Sequence, residues 1–150
     1  MLVVHPSLPV KTVKEFVALA KARPGVLNFG SGGVGSSVHF ATEMFAMAAG
    51  VKLTHVSYKG SGQALIDLMG GQIQMMFGDF LITLPQVKAA KIRALAVTSL
   101  KPSALFPQLP TIAATGLPGY ESVGRFAIFV PLKTPEAIIA RLNQEIVRVL

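Results

Sequence analysis

One segment of the chain concentrates residues able to do chemistry: Asn28-Phe29-Gly30-Ser31-Gly32-Gly33-Val34-Gly35-Ser36-Ser37-Val38-His39. It joins an apolar run that reads as a strand to a periodic run that reads as a helix. Glycines let the backbone turn tightly and bring its N–H groups close to a guest. The first amides of a helix have no intrahelical partner and carry partial positive charge. Ser36 and Ser37 add hydroxyl donors at that end. The chemistry this suits is the non-covalent grip of an anion. Hydrogen bonds to a charged group contribute about 1.5–3 kcal/mol each, so three or four hold a carboxylate. The same residues also fit a tight glycine turn that binds nothing.

Sharper chemistries can be tested against the same residues. A P-loop requires Gly-x-x-x-x-Gly-Lys-Ser/Thr, and the segment has no lysine. The dinucleotide pattern G-x-G-x-x-G is formally present as Gly30, Gly32 and Gly35. It also calls for an acid at the end of the second strand. That strand ends Ser57-Tyr58-Lys59-Gly60, where Lys59 would suit a 2′-phosphate, so an NADP-binding α/β enzyme stands as the alternative. A nucleophilic triad of Ser36, His39 and Asp79 lacks the Gly-x-Ser-x-Gly elbow, and its serine and histidine sit three residues apart on one helical turn. Catalysis is therefore not expected. His5, His39 and His55 are widely spaced with no carboxylate cluster, which argues against a metal site. Met44, Met47, Met75 and Met76 fall on apolar stripes and are expected in the core.

The elements that must position this loop alternate in type. Leu2–Val4 reads as a strand, and Thr12–Ala22 as a helix with Thr12 and Glu15 in capping-box positions. Val13, Phe16, Val17 and Ala20 form its apolar stripe. Val26–Phe29 is the strand before the loop, and Ser37–Ala49 the helix after it, stopped by Gly50. Leu53–Ser57, Ile73–Phe77 and Ile92–Thr98 read as strands; Gly62–Met69 and Leu81–Ala89 read as helices. The alternation predicts an α/β fold, a mainly parallel sheet flanked by helices. The proline-rich stretch 101–119 reads as an extended loop with one helical turn. Phe126–Val130 is extended, and Thr134-Pro135-Glu136 opens a last helix with Ile138, Ile139, Leu142, Ile146 and Leu150 on one face.

Composition narrows the partners. Hydrophobic residues make up 51% of the 150 and charged residues 14%. That is apolar for a free-standing domain, yet no stretch reaches the ~18 apolar residues of a membrane span. A face that packs against something else is the better account. Net charge is +7, which favours anionic partners through long-range attraction. The basic residues are spread singly without interleaved aromatics, so no nucleic-acid partner is expected. There is no cysteine, which removes thiol, disulfide and zinc-thiolate chemistry. The first residues, Met1-Leu2-Val3-Val4-His5-Pro6, do not form a signal peptide.

Several motifs, taken in order, resemble the Bug-type (TctC-like) substrate-binding proteins of tripartite tricarboxylate transporters. Gly30–His39 is similar to that family's glycine–serine loop ending in histidine, and His55–Gly60 to its HVPYKG. Ala64–Gly71, Lys91–Ser99, Leu109-Pro110-Thr111 and Gly116–Glu121 follow the family in sequence. Ser57 stands where the family usually has proline, and Gln74 where it usually has an acid. The resemblance implies one lobe of a periplasmic-binding-protein (type II-like) fold. Residues 1–121 would be the second, ligand-binding lobe; residues 122–150 would be a crossover strand and helix belonging to a largely missing first lobe. It also implies a periplasmic location, a small mono- or dicarboxylate ligand, delivery to a membrane permease, and no cofactor. By the same resemblance Ser31, Gly32, Gly33, Val34, Gly35, Ser36 and Ser37 would grip one carboxylate, with His39 bordering it and Asp79 nearby. A lobe parted from its partner exposes a face through which two copies can dimerise.

Overall fold

The computed structural model describes residues 1–124 and 127–149. Strands β1 (Leu2–Val4), β2 (Asn28–Ser31), β3 (Thr54–Ser57), β4 (Met75–Phe77) and β5 (Arg93–Ala96) form one sheet in the order β3-β2-β4-β1-β5. Helices α1 (Val13–Ala22), α2 (Ser37–Ala49), α3 (Ser61–Met69) and α4 (Phe80–Lys88) alternate with them, and α5 (Glu136–Val149) follows a short 3₁₀ turn at Ala113–Thr115. The class is the expected α/β, a mixed and mostly parallel sheet.

β2 runs parallel to both β3 and β4. β1 lies antiparallel between β4 and β5, pairing Leu2 with Phe77 and Val4 with Met75. β1 therefore finishes at the edge of the sheet where β2 begins. The 5–27 connection is an excursion out and back, not a crossover, which strand–helix alternation alone does not reveal. β1 and β4 are apolar throughout because both faces of the sheet are covered. Leu2, Val4, Met75 and Phe77 join Phe16, Phe29 and Phe45 on one side. Val3 and Met76 turn to the other, with Leu65, Leu68 and Ile73.

Local chemistry explains the element ends. The Thr12 hydroxyl accepts from the Glu15 N–H at 3.2 Å, and the Glu15 carboxylate reaches back to the Lys11 N–H at 2.6 Å. That is a capping box displaced by one residue at its return bond. Gly50 ends α2 in the left-handed region at φ 62°. Gly30 is dictated by packing: a Cβ there would stand 2.5 Å from Ile73 Cδ1 and 3.0 Å from Ala64 Cβ. Gln74, the departure noted above, accepts the Asn28 N–H at 2.9 Å through Oε1 and ties the start of β2 to the approach of β4.

Two expectations are corrected. β2 starts at Asn28, because Val26 is spent in a turn that returns its N–H to the Arg23 carbonyl at 3.2 Å. Gly30 and Ser31 are thereby strand residues. Met75 and Met76 are core, but Met44 and Met47 are not, at 44% and 81% exposure. α2 buries the face carrying Val38, Ala41, Thr42, Phe45, Ala46 and Ala49, which turns both methionines outward. The apolar residues of α5 lie on one face as expected but are left largely open: Ile138, Ile139 and Leu142 are exposed, and Ile139, Leu142 and Ile146 line a groove with Ala127, Ile128 and Val130. Residues 127–130 form no strand, and Phe126 and Leu150 lie outside the described residues.

Candidate binding cleft

β2 and β4 are adjacent and parallel, so their carboxyl ends lie side by side and α2 and α4 both start from one edge of the sheet. Open α/β sheets place ligands at that edge. The cleft there is lined by Ser37, Val38 and Ala41 of α2, by Phe77, Gly78 and Asp79, and by Met1, Thr98, Ser122 and Gly124. It continues over Phe80, Leu81, Ile82, Ser99 and Val123.

The amides of the glycine loop divide into two groups. Gly33 donates to Ser31 Oγ at 3.2 Å, Gly35 to His39 Nδ1 at 3.1 Å, Ser36 to the Gly33 carbonyl at 3.2 Å, and His39 to Ser36 Oγ at 3.3 Å. These four hold the protein's own acceptors. Among the described residues, the N–H groups of Gly32, Val34, Ser37 and Val38 have none. Of these, Ser37 and Val38 face the cleft, while Val34 is exposed and Gly32 packs beside Ser61. The open amides of this segment that face the cleft are thus those of the first turn of α2.

α4 supplies a second helix start. Asp79 is its N-cap by backbone geometry, but its carboxylate makes no capping bond. The Asp79 carbonyl instead accepts the Thr83 N–H at 3.1 Å and the Thr83 hydroxyl at 2.7 Å. The N–H groups of Phe80, Leu81 and Ile82 have no acceptor among the described residues. Gly78 must be glycine, since a Cβ would collide with the Thr83 methyl. The Met1 nitrogen donates to the Gly78 carbonyl at 2.7 Å, which ties the start of β1 to the turn before α4. Two helix starts aimed at one cleft offer an anion several fixed donors and two partial positive charges.

Of the residues expected from sequence, the structure brings Ser37 and Asp79 together. Ser31 and His39 are held elsewhere: Ser31 Oγ is 2.7 Å from His55 Nε2, and the His39 and His55 rings lie 4.2 Å apart, near-parallel with each other and with Phe29. An α-helix turns about 100° per residue, so a helix that points Ser37, Val38 and Ala41 at the cleft points His39 away from it. Gly78, Thr98, Ser122 and Gly124 were not anticipated. Phe77-Gly78-Asp79 before an apolar helix is a second strand–glycine–helix turn, and that pattern is the signal that could have exposed it. Among the described residues no cluster of histidines and carboxylates could hold a metal, and no helix is long and apolar enough to cross a membrane.

His55 makes the loop's support pH-sensitive. Burial, reinforced by the neighbouring His39, lowers its pKa from the ordinary imidazole value, with Glu43 opposing. The unfolded chain then binds the proton more readily. Stability is complete above about pH 6.5 and is lost as pH falls below it. Chemical denaturation at a series of pH values should show this loss, and a His55→Gln variant should show a shallower one.

An α/β lobe with two helix starts at one edge of its sheet is the class of fold that this geometry defines. The chain matches the tripartite tricarboxylate transporter family receptor over residues 1–149, and it belongs to that family. It is 39% identical over 147 residues to the UPF0065 protein in the tcbD-tcbE intergenic region of Pseudomonas sp. (strain P51), covering 97% of this chain and 44% of that one. It superposes on R. palustris Rpa4515 with adipate at a TM-score of 0.94 and 39% identity, covering 96% of this chain and 48% of that one. MatC (Rpa3494) from Rhodopseudomonas palustris with bound malate gives 0.87 at 27% identity, covering 99% and 50%. The chain thus spans about half the length of the relatives it matches. The family consists of substrate-binding proteins, so the chain is not an enzyme. Gly30 and Gly32 lie against α3 and its approach, where a side chain would crowd Ala64 or Ser61.

Proposed function

We propose that this chain is the ligand-gripping lobe of a periplasmic solute-binding protein that hands a small mono- or dicarboxylate to a membrane permease. In this reading residues 1–121 form the lobe and residues 122–150 belong with a first lobe that closes over the same cleft. The observation that carries it is the convergence on one cleft of N–H groups from Ser37, Val38, Phe80, Leu81 and Ile82 that have no acceptor among the described residues. Of the residues expected from the sequence, Ser37 and Asp79 line its site; Ser31 to Ser36 shape the loop, and His39 supports it. Adipate and malate on two structural neighbours favour the carboxylate class. The exposed apolar stripe of α5 supports the division at residue 122, and such a stripe is also where two copies of a lone lobe would meet.

Isothermal titration with succinate, malate, adipate and NADP tests the reading. Weak binding of at least one dicarboxylate and none of NADP is expected, because one lobe supplies only part of the contacts. Binding of NADP in preference to every acid would overturn it.

A further inference from the structure

Two imidazoles pin the glycine loop, and carboxylate binding uses neither. Ser31 Oγ lies 2.7 Å from His55 Nε2 and 3.0 Å from the Gly33 carbonyl, and it accepts the Gly33 N–H at 3.2 Å. A hydroxyl has one proton to give. Given to the Gly33 carbonyl, it leaves His55 Nε2–H as the donor to Ser31, and every contact is satisfied whether His55 is neutral or charged. His39 differs. Its Nδ1 accepts the Gly35 N–H at 3.1 Å, which requires a lone pair there and places the ring proton on Nε2, 3.8 Å from Glu43 Oε1. A proton arriving at Nδ1 turns an acceptor into a donor that faces another donor, and the contact is lost.

The geometry points to His39 as a proton-operated latch on the glycine loop: neutral, it holds Gly35; protonated, it releases the Gly35 amide and frees the loop tip. The tip has few other ties. Val34 is 78% exposed, and nothing stands within 4 Å of a side chain built at Gly35, whose φ is +79°. The titratable groups facing His39 among the described residues are His55 on β3 and Glu43 one turn along α2. β2 presents only the uncharged Phe29 ring, and Phe40 lies tilted against the outer side. The released loop leads directly into the first turn of α2, so the latch adjusts the element that frames the cleft. The inference rests on the loop alone and holds whichever ligand the cleft takes.

Nuclear magnetic resonance on the ¹⁵N-labelled chain, without ligand, tests it. Three results are expected. The neutral His39 ring carries its proton on Nε2. The Gly35 amide proton shifts upfield on acidification, with the same midpoint as the His39 ring. In His39→Asn, whose Oδ1 stands in for Nδ1 but cannot take a proton, the Gly35 shift loses its pH dependence. An Nδ1–H tautomer in the wild type would overturn the latch, as would a Gly35 amide indifferent to pH. A Gly35 titration that persists in His39→Asn would also overturn it. The first two readings need no variant, so a poorly folded His39→Asn leaves the test intact.

Discussion

Replacing Phe45 with alanine is expected to lower the unfolding free energy by about 3–5 kcal/mol. Phe45 is fully buried on α2 and meets three aromatic neighbours: Phe16 at a centroid distance of 6.0 Å, Phe77 edge-on at 5.7 Å and Tyr120 edge-on at 6.0 Å. It joins α1, β4 and the loop after the 3₁₀ turn to the helix that frames the cleft. Tyr120 depends on the same contact, and its hydroxyl donates to the Ala41 carbonyl at 2.8 Å. The surrounding sheet cannot collapse into the void, so the cost includes a cavity as well as lost burial. A domain of this size is stable by only about 5–15 kcal/mol, so a large share of that margin would go. Met47→Ala, on the exposed face of the same helix, should cost within about 0.5 kcal/mol. Urea denaturation of both variants reads the comparison. Equal costs would mean that α2 does not pack as described.

Ser37→Pro is expected to weaken carboxylate binding about ten- to a hundredfold while leaving the fold intact. The substitution removes one N–H from the cleft and nothing from the helix ladder, because the first helical amide has no intrahelical acceptor. Proline is favoured at that position. Ser36, at φ −67° and ψ 158°, already has the extended conformation that a following proline requires. A hydrogen bond from that amide to a charged oxygen contributes about 1.5–3 kcal/mol, which sets the size of the loss. Ser37→Ala keeps the amide and separates its contribution from that of the hydroxyl. If Ser37→Pro binds like the wild type and Ser37→Ala does not, the hydroxyl and not the helix start holds the ligand.

The glycine loop, the cap at Thr12, the stop at Gly50 and the order of strands and helices were legible because each rests on a short-range rule. Direction and register were not. β1 is three residues long and apolar on both faces, so nothing in Leu2-Val3-Val4 distinguishes a parallel from an antiparallel neighbour. Val26 is β-branched and apolar like a strand residue, but the turn after Arg23-Pro24-Gly25 claims it, and β2 starts two residues later. Met44 and Met47 look like core until the wider face of α2 built on Phe45 is oriented against the sheet. The site divided in the same way. The donor end of α2 could be read from Gly-Ser composition. Which amides remain open depended on side chains of the same loop, above all His39 and Ser31. The partners Gly78, Thr98 and Ser122 come from distant segments that only the sheet order brings to one edge.

The central claim is that unpaired amides at the starts of α2 and α4 hold the ligand carboxylate. Backbone amide shifts followed by ¹H–¹⁵N correlation during titration with adipate and malate test it most directly. The account predicts that Ser37, Val38, Phe80, Leu81 and Ile82 move together and saturably, while Val17, Ala18 and Ala48, which line a separate groove between α1 and α2, stay still. Saturable binding that leaves those five amides unmoved would contradict it.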